Sequence, residues 1–177
     1  AQEMAKHEDP LLAGNGVPRH FIGRLQTNKA RDVAKFASEF QALDSLRLAR
    51  ELDKRLHAQG RQLDVLVEVN SSDEPQKSGV APSEAVDFAR QLSAFDALRV
   101  KGLMTVALHS DDESQVAACF QRMRVVQEQL RNEASEVSFW NDLSMGMSGD
   151  FEIAIAHGAT TVRVGQAIFG SRPPMGR

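Results

Sequence analysis

The chain has 177 residues, 42% of them hydrophobic and 25% charged, with 12 glycines, a composition that excludes disordered and collagen-like classes. This length suits one domain that buries about 70% of its unfolded surface. A net charge of -3 argues against a nucleic-acid partner, and no apolar run approaches the ~18 residues of a membrane span, so no membrane partner is expected.

Short apolar, β-rich runs alternate with longer stretches whose apolar residues recur at helical spacing, six of each kind. Strands are predicted first over His20 to Leu25 and then over Lys35 to Phe40. From Ser45 to Gln59 the i, i+4, i+8 spacing of Leu48, Leu52 and Leu56 marks a helix, with Asp44 or Ser45 as cap and Gly60 as terminator. Leu63 to Asn70 is the clearest strand: Leu63, Val65, Leu66, Val67 and Val69 make a nearly continuous run, as in a sheet covered on both faces. Pro82 suits the first turn of the next helix, which carries Val86, Phe88, Ala89 and Leu92. A strand over Val100 to Val106 follows, then a long helix from near Asp111 marked by Val116, Phe120, Met123 and Leu130. Strands over Phe139 to Ser144 and Thr161 to Val164 flank a short helix from Asp150 to His157 that stops at Gly158.

The single cysteine, Cys119, lies in the apolar stripe of the long helix and reads as a buried thiol, which points to a reducing, cytoplasmic setting. His7, His20, His57, His109 and His157 stand far apart with no i, i+4 pair, so no metal is expected. Strand-helix alternation indicates an α/β fold with parallel strands and right-handed crossovers. Six strands are comfortable in a doubly wound open sheet, whereas a closed (β/α)8 barrel takes about 250 residues, so the count by itself favours the open sheet. No linker, repeat or low-complexity segment divides residues 1–177, which read as one domain.

The last forty residues concentrate the chemistry. From Asp142 to Asp150 the chain passes from a strand through a glycine-rich turn into a helix, and Ser148 offers a hydroxyl beside Gly146 and Gly149. Such a turn lets backbone N–H groups approach an anion such as phosphate, with Asp150 facing away as an N-cap. A second turn of this kind follows Arg163, where Gly165 opens the way into Gln166. Two consecutive strand ends so close in sequence would converge on one phosphate, as the loops after the last two strands of a barrel do. The plainer alternative, turn glycines and an ordinary surface cation, stays open on pattern alone.

These segments resemble a known family. The run LSMGMSGDFEIAI from Leu143 to Ile155, with VRVGQAIFG from Val162 to Gly170, is similar to the signature of the pyridoxal phosphate homeostasis proteins, the YggS/PROSC family. HFIGRLQTNK from His20 to Lys29, VEVN from Val67 to Asn70 with Lys77 to Gly79, and KGLMT from Lys101 to Thr105 agree in the same order. The resemblance implies a (β/α)8 TIM barrel of the alanine racemase N-terminal type, here incomplete, that binds pyridoxal 5'-phosphate (PLP) at its C-terminal mouth. It also implies a role in vitamin B6 and amino-acid homeostasis, with no catalytic residues.

By that resemblance the Ser148 hydroxyl and the N–H groups of Gly149, Gly165 and Gln166 hold the phosphate, and the Arg163 guanidinium faces the pyridine nitrogen. Met104 and Met147 pack near the ring, or simply fill the core. His20 is either a polar wall of the mouth or a strand histidine satisfied in the core. Asn70 and Lys77 would line the entrance, with a solvated loop as the favoured reading of Lys77.

The family's first two strands, including the lysine that forms its Schiff base, have no counterpart in this sequence, and Ala1 to Met4 correspond to the helix after them. A missing beginning is therefore expected. None of the six lysines obviously substitutes: Lys29 and Lys77 match loop lysines, Lys101 points outward, and Lys6, Lys35 and Lys54 read as solvated charges. Covalent attachment is thus in doubt, and open strand edges invite self-association. Two rivals are an alanine racemase-like enzyme, which would need a tyrosine base that this chain lacks, and a doubly wound domain for another phosphorylated ligand.

Overall fold

The computed structural model of the protein describes residues 18–170. The segment Ala1 to Met4, Lys6 and His7 lie outside the described residues. Among the described residues six strands form one sheet in chain order, every neighbouring pair parallel: β1 (His20–Phe21), β2 (Glu39–Leu43), β3 (Leu63–Glu68), β4 (Leu98–Met104), β5 (Asp142–Met147) and β6 (Thr161–Arg163). Between and after them run α1 (Ala30–Phe36), α2 (Leu46–His57), α3 (Ala85–Leu92), α4 (Glu113–Glu133), α5 (Phe151–Ala156) and α6 (Gln166–Phe169).

Strand order overturns the open-sheet preference drawn from the strand count. A doubly wound sheet reverses its order at a switch point, and this one never does. The sheet is also curled. β2 and β5 stand three strand intervals apart, about 14 Å in a flat sheet, yet the Ser144 hydroxyl of β5 donates to Gln41 Oε1 of β2 at 2.6 Å. Only an arc of barrel wall closes that distance, so the fold is a six-stranded part of a TIM barrel.

Alternation along the strands sorts the core. Register aligns Glu68 with Met104 and Met104 with Ser144, so these three share the inner face with Gln41. Val65, Val67 and Val69 take the other face, where the core includes Leu48, Leu52 and Leu56 of α2 and Phe120, Met123 and Leu130 of α4. Both faces of β3 are thus covered, as its sequence requires.

Element boundaries show local physics at work. Ser45 occupies the N-cap of α2 without a side-chain cap bond, and Gly60, at φ +59°, stops the helix as expected. Asp112 caps α4 by accepting the Ser114 N–H at 2.9 Å. The predicted strand over Lys35 to Phe40 is corrected: residues to Phe36 belong to α1, and β2 starts at Glu39. Ala30, Val33, Ala34 and Ala37 bury one face at helical spacing, a stripe too small-sided to read as a helix in the sequence. β5 begins at Asp142 rather than Phe139, because Trp140 is fully buried in a left-handed conformation at φ +52°, leaving Phe139 exposed. β1 is cut to two residues, and β4 ends at Met104.

Candidate functional site

The C-terminal ends of β5 and β6 lead into adjacent loops. The Ser148 hydroxyl oxygen, just past β5, accepts the Ala167 N–H of α6 at 3.2 Å, so the two turns meet. Neither Gly149 nor Gly165 has an acceptor for its N–H among the described residues, and a Cβ at either would meet open space. Helices α5 and α6 have only six and four residues, so individual N–H groups rather than helix dipoles are what these loops offer.

The loops form one side of a cavity of about 1240 Å³, which brings together Met147, Ser148, Gly149, Arg163, Gly165 and Gln166. Ile22, Val106 and Phe169, none of them singled out by the sequence, give it apolar walls, and no described lysine lines it. Asp150 does not face away. Its residue holds the N-cap position of α5, but its carboxylate accepts the Met147 N–H at 2.5 Å and lines the cavity, so the loop's own backbone claims it.

Arg163 ends β6 and is anchored from β5 and from the residue that follows β4. Its Nη1 donates to the Ser144 hydroxyl oxygen at 2.7 Å and its Nη2 to the Thr105 carbonyl at 2.6 Å. Ser144 in turn donates to Gln41, whose Nε2 donates to Glu39 Oε1 at 2.6 Å. This relay fixes the guanidinium in place. Burial pulls Arg163 below its ordinary range, while the charges of Asp150 and Glu68 act in the opposite sense. Glu68 ends β3 on the same inner face and is 9% exposed. Burial first, then the charge of Asp44, pushes its carboxyl up to about 7, against the lowering influence of Arg163 and Arg24.

The remaining sequence candidates fall elsewhere. His20 is neither a wall of this cavity nor a core histidine: at the edge strand, with a half-exposed side chain, its Nδ1 lies 3.0 Å from Glu39 Oε1 at the start of β2. Asn70 shapes its own loop, accepting from the Ser72 N–H at 3.3 Å and donating to the Glu74 carbonyl at 2.9 Å. Met104 is buried on the inner face and does not line the cavity, whereas Met147, 45% exposed, does. Lys77 is held rather than solvated, donating to the Ala107 carbonyl at 3.1 Å and pairing with Glu74 at 2.5 Å. Lys101, Lys35 and Lys54 are exposed, and Cys119 is buried.

Sequence reasoning missed Glu68, Gln41, Ser144 and Thr105 as site residues. The one available signal was Glu68, a charge that closes the apolar run from Val65 to Val67. It also passed over Asp53, His57 and Asp96, whose ligand atoms lie within 4.8 Å of one another at the surface. There Asp53 Oδ1 accepts the Ala97 N–H at 3.1 Å and His57 Nε2 lies 2.6 Å from Asp96, an arrangement that ties the end of α2 to the segment before β4.

Comparison with known proteins places this geometry. The family model described as the alanine racemase N-terminal domain matches residues 12–173. The pyridoxal phosphate homeostasis protein of Vibrio alginolyticus is 38% identical over 97% of this chain and 70% of its own length. The protein of the same name from Pasteurella multocida is 39% identical over 86% of this chain, which spans 65% of that relative. PipY of Synechococcus elongatus, solved with PLP bound, superposes with a TM-score of 0.87 at 31% identity over 96% of this chain and 78% of its own. Alanine racemase of Clostridium difficile, 18% identical with a TM-score of 0.75 over 93% of this chain and 43% of its own, shares the fold. The matched domain, the curated relatives and the curled parallel sheet agree, and the chain belongs to the alanine racemase N-terminal domain family and, within it, to the pyridoxal phosphate homeostasis proteins.

Proposed function

We propose that this chain binds PLP at the C-terminal mouth of its barrel arc, noncovalently and without catalysis of its own, in the service of vitamin B6 and amino-acid homeostasis. The observation that carries this is the convergence of the last two strand-to-helix loops, Ser148 against Ala167, beside two glycine N–H groups without acceptors and an anchored guanidinium. The PLP carried by PipY supports the same reading.

Ser148 and the N–H groups of Gly149, Gly165 and Gln166 would hold the phosphate, as a nest of donors does. Arg163 would face the pyridine nitrogen and, as a permanent cation, keep a proton off it. PLP when bound supplies an electrophilic aldehyde and an electron-withdrawing ring. A ring kept unprotonated is a weak electron sink, which suits a carrier. The racemase alternative needs a tyrosine base, and the chain contains none. A cytoplasmic setting, drawn from the unpaired buried Cys119, and weak self-association through the β1 and β6 edges belong to the same proposal.

Titration with PLP followed by borohydride reduction and mass spectrometry tests it. The expected result is weak, saturable binding with no lysine adduct. A stoichiometric adduct on any lysine contradicts the noncovalent reading, and an absence of saturable binding contradicts the site.

A further inference from the structure

Every strand of the arc ends toward the mouth, and the residue closing β3 is a carboxylate. Glu68, Met104 and Arg163 are the last residues of β3, β4 and β6, the level at which barrel proteins place their chemistry. Register sets their spacing: Glu68 aligns with Met104, and the Arg163 guanidinium is held at the end of that same strand, by the carbonyl of Thr105, the residue after Met104, and by Ser144, which aligns with Met104. No described residue offers the Glu68 side chain a hydrogen bond, although the residue is only 9% exposed. A largely buried carboxyl that no protein group hydrogen-bonds is costly as an anion, and the charges around it decide whether it is one.

Those neighbours are few. Asp44, just after β2, opposes its ionisation, while Arg163 of β6 and Arg24 of the loop after β1 favour it. The register neighbours on β4 and β5, Met104 and Ser144, carry no charge, and Asp150 acts on Arg163 from the start of α5.

We propose that Glu68, which does not itself line the cavity, positions the charge of this mouth through Arg163, its carboxyl sharing the guanidinium so that an anionic ligand binds best when Glu68 takes up a proton. This rests on the PLP-binding reading above. A ligand carrying phosphate brings negative charge toward Arg163 and, through it, toward Glu68. The ionised carboxyl competes for the guanidinium, and the neutral one leaves it to the ligand. Elevation of the Glu68 carboxyl to about 7 puts the exchange in the neutral range.

The test compares PLP affinity of the wild-type chain and Glu68→Gln by calorimetry between pH 6 and pH 8. Titration of the ligand's own phosphate is common to both proteins and cancels in their ratio. The wild-type to variant ratio of Kd should lie near one at pH 6 and rise several-fold by pH 8, with about tenfold per pH unit as the ceiling for one proton. A ratio that does not change with pH overturns the proposal.

A second readout follows the Glu68 carboxyl resonance by carbon NMR in the ligand-free protein. It should titrate near 7 and move upward in Arg163→Gln, and a resonance that ignores that substitution overturns the pairing. Failure of both proteins to bind PLP at every pH would instead sink the cofactor reading, leaving the resonance to judge the pair alone.

Discussion

Glu68 couples the interior of the arc to pH. Its folded carboxyl lies near 7 against an ordinary 4.5, so the folded chain holds the proton more tightly than the unfolded one. Stability from this group is full below about pH 4.5 and falls as pH rises through 7. Glu68→Gln should therefore gain up to about 3 kcal/mol over wild type at pH 8 and little at pH 4.5, read from urea midpoints at each pH. A variant as pH-dependent as wild type across that window would contradict the assignment. Ser144 carries a different burden, since it both accepts from Arg163 and donates to Gln41. Ser144→Ala strands both partners and should cost about 1–3 kcal/mol in the same measurement. An unchanged midpoint would mean that the relay does not hold the guanidinium.

The passage from β5 into α5 is where an element depends on one atom's absence. Gly146 sits at φ +97°, and a Cβ there would lie 2.6 Å from the Ala154 Cβ of α5. Gly146→Ala should destabilise by about 2 kcal/mol or more through strain and overpacking together, and thermal unfolding would show it. A wild-type melting curve would contradict the packing described. Elements with large side chains were legible in the sequence: the leucine ladder of α2 and the aliphatic run of β3 lie where they were expected. α1 was not, because Ala30, Ala34 and Ala37 pack closely without a loud apolar signal, and the start of β5 was displaced by Trp140, whose left-handed turn local pattern does not reveal.

Across the whole molecule, curvature decides what meets what. The convergence of the last two loops could be read from Ser148 and Gly165 because the two turns are neighbours along the chain. The inner relay could not, since Gln41 and Ser144 are 103 positions apart and touch only when the sheet curls. Strand order likewise had to be seen, because a count of six suits an open sheet as well as an arc. The arc leaves β1 and β6 as edges of two and three residues among the described residues. Edges this short pair weakly, so sedimentation should show only slight, concentration-dependent association, and a tight dimer at micromolar protein would contradict that expectation.

The most direct test is a crystal structure of the chain with PLP. The phosphate should lie against the Ser148 hydroxyl and the N–H groups of Gly149 and Gly165, with the pyridine nitrogen facing Arg163 and no bond from the aldehyde carbon to any lysine. Phosphate seated anywhere else, or PLP bonded to a lysine, would contradict it.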